Sequence, residues 1–262
     1  MALIDEILRD TRALAERAAH RSRRTVRTSP EAAAWLMADR EIDGAPSAAP
    51  PQTAETSGTA DALAELARQV AQCTRCPLSE TRTQTVFGAG SPRARLVFVG
   101  EAPGQQEDLR GEPFVGAAGQ FLTRVIEGGF KMRREDVFIC NVLKCRPPGN
   151  RDPRADEIAE CEPYLVRQIE LIAPSVICAL GGHAAKTLLR TSESTTRLRG
   201  KWHSYHGIPL RVTYHPSYVI RSRDVPEKFK ENRRKVWEDV QAILELLERD
   251  EPPCFGPGSI EA

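Results

Sequence analysis

Ala94-Arg95-Leu96-Val97-Phe98-Val99-Gly100, followed at once by Glu101-Ala102-Pro103-Gly104, sets the architecture of this chain. The apolar residues are continuous rather than alternating, as in strands covered on both faces of a parallel sheet. Three similar runs lie downstream, at residues 137–143, 175–180 and 210–214. Helical patterns separate them at residues 119–128, 155–172 and 183–190, and a long amphipathic helix over 226–249 closes the series. Alternating strand and helix predict an α/β fold: a three-layer sandwich around a central four-stranded, mostly parallel sheet. Ligands of such sheets bind at the carboxyl ends of the strands. Glu101, Asn141, Gly181 and His215 each fall at or just past such an end, so four strand ends converge on one expected site.

Outside that alternating region the chain changes character. Residues 1–40 carry an apolar stripe (Leu3, Ile4, Ile7, Leu8, Leu14) and then a basic patch from Arg21 to Arg27. Residues 43–60 are rich in Ala, Pro, Ser, Thr and Gly, a composition that cannot offset its own ordering entropy and reads as a linker. Three segments are therefore expected: an extension with linker at 1–60, a domain at 61–250 opened by an Asp61 helix cap, and a tail at 251–262. The stripe makes the extension a candidate docking segment for a partner protein.

With 40% apolar and 28% charged residues among 262, the chain can pack a core and stay in solution. It contains no apolar run long enough to span a membrane, and its first residues lack the pattern of a secretory signal, so a cytoplasmic location is expected. The net charge of +1 decides nothing about nucleic acid. Its distribution says more: between Arg190 and Lys235 twelve Lys and Arg face four acids, a candidate phosphate-binding face.

In a reducing compartment cysteines are more often ligands than disulfides. Cys73-Thr74-Arg75-Cys76 brings two thiols within reach of one centre, with Cys145 and Cys161 arriving from the middle of the domain. Cys140 and Cys178 sit in apolar runs and read as core, with Cys254 the remaining one of seven. Spacing alone leaves iron–sulfur, zinc and unliganded core cysteines open. The prolines after Cys145, in Lys144-Cys145-Arg146-Pro147-Pro148, lean toward iron–sulfur.

The remaining motifs follow strands. Gly88-Ala89-Gly90 precedes one, which excludes a dinucleotide fingerprint and leaves a turn. Gly100-Glu101-Ala102-Pro103-Gly104 follows one, and its acid has Glu107 and Asp108 close behind, a cluster unfavourable unless solvated or used. His215 ends an apolar strand, is stiffened by Pro216 and is followed by Ser217, whereas His203 and His206 have no such frame and read as surface or phosphate contacts. Phe114 stands in a glycine-flanked loop, Gly111-Glu112-Pro113-Phe114-Val115-Gly116.

Taken in order, Cys73-x-x-Cys76, Gly100-Glu101-Ala102-Pro103-Gly104, Pro113-Phe114-Val115-Gly116, Asn141 to Pro148, Asn150-Arg151, Cys161 and His215-Pro216-Ser217 resemble the family-4, iron–sulfur uracil-DNA glycosylases over residues 61–249. The resemblance implies a 4Fe-4S cluster on Cys73, Cys76, Cys145 and Cys161, structural rather than redox-catalytic. It implies a monomeric DNA-repair hydrolase that acts on uracil in single- or double-stranded DNA. Phe114 would stack on a base flipped from the helix, and Asn141 would read its edge, donating to O4 and accepting from N3–H. Gly100 and Gly104 would line the base pocket. His215 would donate to uracil O2 as charge develops there, and the amides of the 101–104 loop would assist. Glu101 would stabilise the sugar cation or orient water, with Glu107 in reserve. Ser217, Tyr218 and Arg221 would belong to a loop entering the minor groove, with Tyr218 or Val219 as a wedge, and Arg199, Lys201 and Arg221 would meet phosphates.

The nearest rival is a covalent uracil-DNA-binding protein of the same superfamily. Such relatives trap DNA through a histidine in a basic insertion, and residues 144–152 contain none. A non-catalytic DNA-binding module is the other alternative; it has no need for four functional residues at converging strand ends.

Overall fold

All four expected runs become parallel neighbours in a computed structural model, which describes the backbone of residues 54–249 and the side chains of residues 58–249. The expectations for residues 1–53 and 250–262, including the apolar stripe, the basic patch and Cys254, lie outside the described residues. The strands are β1 (Ala89–Gly90), β2 (Leu96–Gly100), β3 (Phe138–Asn141), β4 (Val176–Leu180), β5 (Trp202–Tyr205) and β6 (Ile208–Thr213). Their order is β1-β3-β2-β4-β6-β5, with β3, β2, β4 and β6 mutually parallel. The sheet is thus six-stranded: a four-stranded parallel centre carries one antiparallel strand on each edge. Gly88-Ala89-Gly90, read as a turn, supplies the two-residue strand β1 on one edge. β5 is joined to β6 by His206 and Gly207, both at positive φ (49° and 83°), the geometry of a tight two-residue hairpin.

Helices cover both faces because successive strand residues point to opposite sides. Val97, Val99, Cys140, Ile177 and Ala179 share one core with Leu63 of α1 (Ala54–Ala71), with Leu165 and Ile169 of α4 (Ala155–Ile172), and with Ala184 and Leu188 of α5 (Gly182–Leu189). Leu96, Phe98, Ile139 and Cys178 face the other layer. There they meet Phe121 and Leu122 of α3 (Ala117–Arg124) and Val236, Val240 and Ile243 of α8 (Pro226–Leu247). Between these lie the short helices α2 (Gln105–Arg110), α6 (Thr195–Leu198) and α7 (Pro216–Arg221). Cys140 and Cys178 are core residues, one in each layer, and burial pushes both thiols up from their ordinary range.

One helix start differs from the expectation. α1 begins at Ala54, so Asp61 is an interior residue and not an N-cap. Leu63, Leu66 and Val70 are all buried, and once they dock, further turns toward the N-terminus add hydrogen bonds without a new nucleus. Among the described residues no helix is long and apolar enough to cross a membrane.

The sheet order also locates the site. From β2 the chain passes to β3 on one side and then to β4 on the other, so β2 is the switch point of the fold. A crevice is expected beyond its carboxyl end.

Candidate active site

The crevice is there, about 660 Å³, and Glu101, Phe114, Asn141, His183, His215 and Arg221 are among its lining residues. It gathers the carboxyl ends of all four parallel strands. Its floor is set by a close approach: Gly100 pairs in register with Asn141, and a Cβ on Gly100 would lie 2.3 Å from Asn141 Oδ1 and 2.7 Å from Phe114 Cζ. Only glycine lets these two side chains share the end of β2. Gly181 does the same on the other side, where a Cβ would come within 2.8 Å of His215 Cβ, and its φ of 88° also favours glycine.

Phe114 is 7% exposed and sits at φ 53°, unusual for an aromatic residue. The surrounding groups over-determine that conformation. The Glu107 carboxylate accepts the amides of Val115 and Gly116, each at 2.9 Å. The Arg134 guanidinium donates to the carbonyls of Pro113 (2.6 Å) and Phe114 (3.1 Å). Glu107 thus holds the Phe114 loop through one carboxylate oxygen, Oε1, while the residue also lines the crevice. Gly104 caps α2 from the crevice wall.

Asn141 is 1% exposed, and its Oδ1 has no hydrogen-bond partner. Buried polar atoms are normally satisfied, so an unpaired acceptor at the floor of a crevice points to a donor supplied from outside. Its backbone is held from behind: Lys144 Nζ donates to the Asn141 carbonyl (2.7 Å) and to Gln168 Oε1 (2.6 Å).

His215 is the N-cap of α7, and its Nδ1 accepts the Ser217 amide at 3.1 Å. Nδ1 also lies 2.8 Å from Ser217 Oγ. An accepting Nδ1 assigns the proton of the neutral ring to Nε2. Burial, with the Arg221 charge adding to it, pushes the imidazole down to about 4, so the ring is neutral at ordinary pH. Its plane tilts 36° from that of Phe114 at a centroid separation of 5.7 Å.

Glu101 lines the same crevice as His215. Burial raises its carboxyl above the ordinary value, His183 draws it back, and Asp152 raises it. His183 Nε2 lies 4.0 Å from Glu101 Oε2 and 3.6 Å from Asp152 Oδ1. Sequence reasoning passed over His183 and Asp152, as it did Ser194 to Thr196, which also line the crevice. For His183 the signal was available: it stands two residues past Gly181, itself a flagged strand end.

The expected DNA contacts divide. Ser217, Tyr218 and Arg221 line the crevice, on a short helix rather than a loop. Tyr218 is 38% exposed while Val219 is fully buried, so of the two wedge candidates only Tyr218 can reach a partner. Lys201 is exposed but lies outside the crevice lining. Arg199 is a correction. Its side chain is 9% exposed and pairs with Asp239, which also holds Arg211. Arg199 donates further to the Lys235 carbonyl and stacks over Tyr214 at 4.7 Å. A buried guanidinium tied to a buried carboxylate is an internal strut, unable to meet a phosphate. Arg199→Ala should lower the unfolding free energy by about 3 kcal/mol in urea melts, because Asp239 loses one of two buried partners. The basic stretch is also partly spent within the fold, since Arg190, Arg197, Arg234 and Lys235 each pair with a glutamate. His203 Nε2 bonds the Leu198 carbonyl at 2.8 Å, and His206 forms the hairpin turn.

The four cysteines meet between α1 and α4. Cys73, Cys76, Cys145 and Cys161 line one opening together with Arg82, Lys144 and Tyr164. Arg82 donates to Cys145 Sγ (3.1 Å) and the Lys144 amide to Cys161 Sγ (3.2 Å), so cationic and amide donors face the sulfurs. Burial pushes the Cys161 thiol up to about 11, and those of Cys76 and Cys145 also upward. Four sulfurs lining one opening, with a guanidinium and an amide donating to two of them, make a candidate site for a thiolate-bound metal centre.

A sequence model of the Uracil DNA glycosylase superfamily matches residues 87–241. A type-4 uracil-DNA glycosylase of Archaeoglobus fulgidus is 45% identical over 203 residues, covering 74% of this chain and 98% of that protein. One of Thermotoga maritima is 44% identical over 198 residues, covering 73% and 98%. One of Saccharolobus solfataricus is 44% identical over 190 residues, covering 70% and 88%. The chain belongs to the uracil-DNA glycosylase superfamily and, within it, to the type-4 group.

Proposed function

We propose that residues 61–250 form a monofunctional DNA-repair enzyme that hydrolyses the N-glycosidic bond of uracil in DNA, releasing free uracil and leaving an abasic site. The observation that carries this reading is the buried, unpartnered Oδ1 of Asn141, in a crevice it shares with Phe114 and a neutral His215. The bond lies inside the base stack, so the nucleotide must first flip out at a cost of about a few kcal/mol. Stacking on Phe114 offsets about 1–3 kcal/mol of that, and Tyr218 can fill the gap left behind.

Asn141 then accepts from uracil N3–H and donates to O4. Cytosine presents the reverse pattern and would leave buried groups unpaired. As the C1′–N1 bond breaks, its electron pair stays with uracil and negative charge grows at O2. His215 Nε2–H donates there. The sugar becomes cationic and faces the Glu101 carboxylate, which also orients the water that adds to C1′ and takes the proton lost from it.

Cys73, Cys76, Cys145 and Cys161 are the residues that would hold a 4Fe-4S cluster. Its contribution is cohesion, since it would pin α1 to α4 beside the strand end that carries Asn141. Cys161→Ser should abolish the cluster's visible absorbance and lower the melting temperature by more than 10 °C, as loss of a structural metal does. A colourless wild-type protein, metal-replete by preparation and equally stable, would remove the cluster from this account.

The function is tested on a labelled duplex with one U·G pair, cut with alkali after incubation, beside a matched C·G control. Repeated, uracil-dependent turnover is expected. Intact protein that cuts neither duplex overturns the enzymatic reading.

A further inference from the structure

We infer that His183 is a positioning residue for Glu101, holding its carboxylate as the anion and directed into the crevice, with Asp152 acting as an opposing neighbour. The proposal deepens the glycosylase reading and rests on Glu101 having the role given above. Three separate elements supply the cluster: Glu101 follows β2, Asp152 precedes α4, and His183 is the second residue of α5, after the Gly181 N-cap and Gly182. Their ligand atoms all lie within 4.8 Å of one another. At 4.0 Å and 3.6 Å, the imidazole is too far from either carboxylate for a normal direct hydrogen bond but close enough for a solvent-screened charge interaction.

The other charged groups of the crevice are engaged elsewhere. Arg151 forks onto the buried Glu157 carboxylate at 2.9 and 2.5 Å. Glu107 holds the amides of the Phe114 loop. Arg221 lies 3.4 Å from Ser217 Oγ, and His215 is neutral. Among the described residues lining the crevice, His183 is thus the cation-forming group paired with Glu101. The signs agree with this placement: burial and Asp152 push the Glu101 carboxyl up, and His183 pulls it down. A half-exposed imidazole acts through partly screened charge, so the effect is a modulation of rate.

An imidazole acts on a carboxylate by charge only in its protonated form, so the effect of the pair is sought at the acid end of the pH range. In single-turnover excision between pH 5 and 9, His183→Gln should move the acid limb to higher pH. The rate should fall about two- to fivefold near pH 5.5 and match wild type by pH 8.5, the size expected of an exposed ion pair. Asp152→Asn should move the limb the opposite way, and His183→Lys, which keeps a charge, should restore the low-pH rate. A structural role would instead lower the rate evenly at every pH, and either that result or unmoved limbs would overturn the inference. A second readout separates this from the glycosylase reading itself. The Glu101 carboxyl carbon, titrated by NMR in the free protein, should shift upward in His183→Gln and downward in Asp152→Asn. If those midpoints move while wild type excises no uracil, the positioning stands and the function falls. If they do not move, the positioning falls whatever the activity.

Discussion

Uracil excision by a His215→Ala variant is expected to be about 10²- to 10³-fold slower than wild type in single-turnover rapid-quench measurements, the loss found when one oxyanion donor is removed. The binding of uracil-DNA should change much less, because the hydrogen bond to O2 strengthens only as the glycosidic bond breaks. The pH dependence sharpens the test. The imidazole titrates at about 4 in the fold, below its ordinary 6.5, so its proton count is constant from pH 5.5 to 9. The ratio of wild-type to variant rate should therefore be flat across that window. An acid limb within it belongs to the Glu101 cluster. Stability carries the opposite signature. Below 6.5 the unfolded chain takes up a proton that the fold refuses, so wild type loses stability as pH falls from 6.5 toward 4, and His215→Ala loses less. A ratio that climbs steeply below pH 7 would mean that charged imidazolium does the work, contrary to the accepting Nδ1 and neutral ring described above.

What the sequence revealed and what it hid have physical causes. Three of the four parallel strands were legible because they are buried on both faces and read as apolar runs, whereas β6 interrupts Leu210 and Val212 with the buried polar residues Arg211 and Thr213. β1 is two residues long, and β5 (Trp202-His203-Ser204-Tyr205) is a part-exposed edge, so neither needs an apolar signature. The strand-end rule found Glu101, Asn141, Gly181 and His215, since each position follows from its own strand. His183 and Asp152 matter only through their separation from Glu101, a distance between segments about 50 to 80 residues apart in the chain. Arg199 shows the reverse failure. A cation in a basic stretch looks like a phosphate contact until its partner appears forty positions away in α8, where Asp239 is 1% exposed. Local pattern carries strands and their ends; charge pairing across the fold decides what the polar residues do.

Asn141→Ala should lower kcat/KM for uracil-DNA by about 10²- to 10³-fold, since O4 and N3–H of the flipped base each lose a partner at roughly 1–3 kcal/mol apiece. The site itself should survive the change. Lys144 grips the Asn141 backbone carbonyl, which alanine retains, and the Lys144 amide in turn donates to Cys161 Sγ. The strand end and the cysteine centre are therefore joined through main chain, and truncating the side chain leaves that link whole. Melting temperature and visible absorbance should stay near wild type, in contrast to Cys161→Ser, where both should fall. The discrimination between uracil and cytosine is the more telling quantity. In the proposed pocket a cytosine edge would leave the amide mispaired, and alanine has no amide to mispair. The uracil-to-cytosine ratio of kcat/KM should thus contract chiefly through loss of the uracil rate. An Asn141→Ala enzyme that retained wild-type uracil turnover would place base recognition elsewhere in the crevice and leave the unpaired Oδ1 without a role in it.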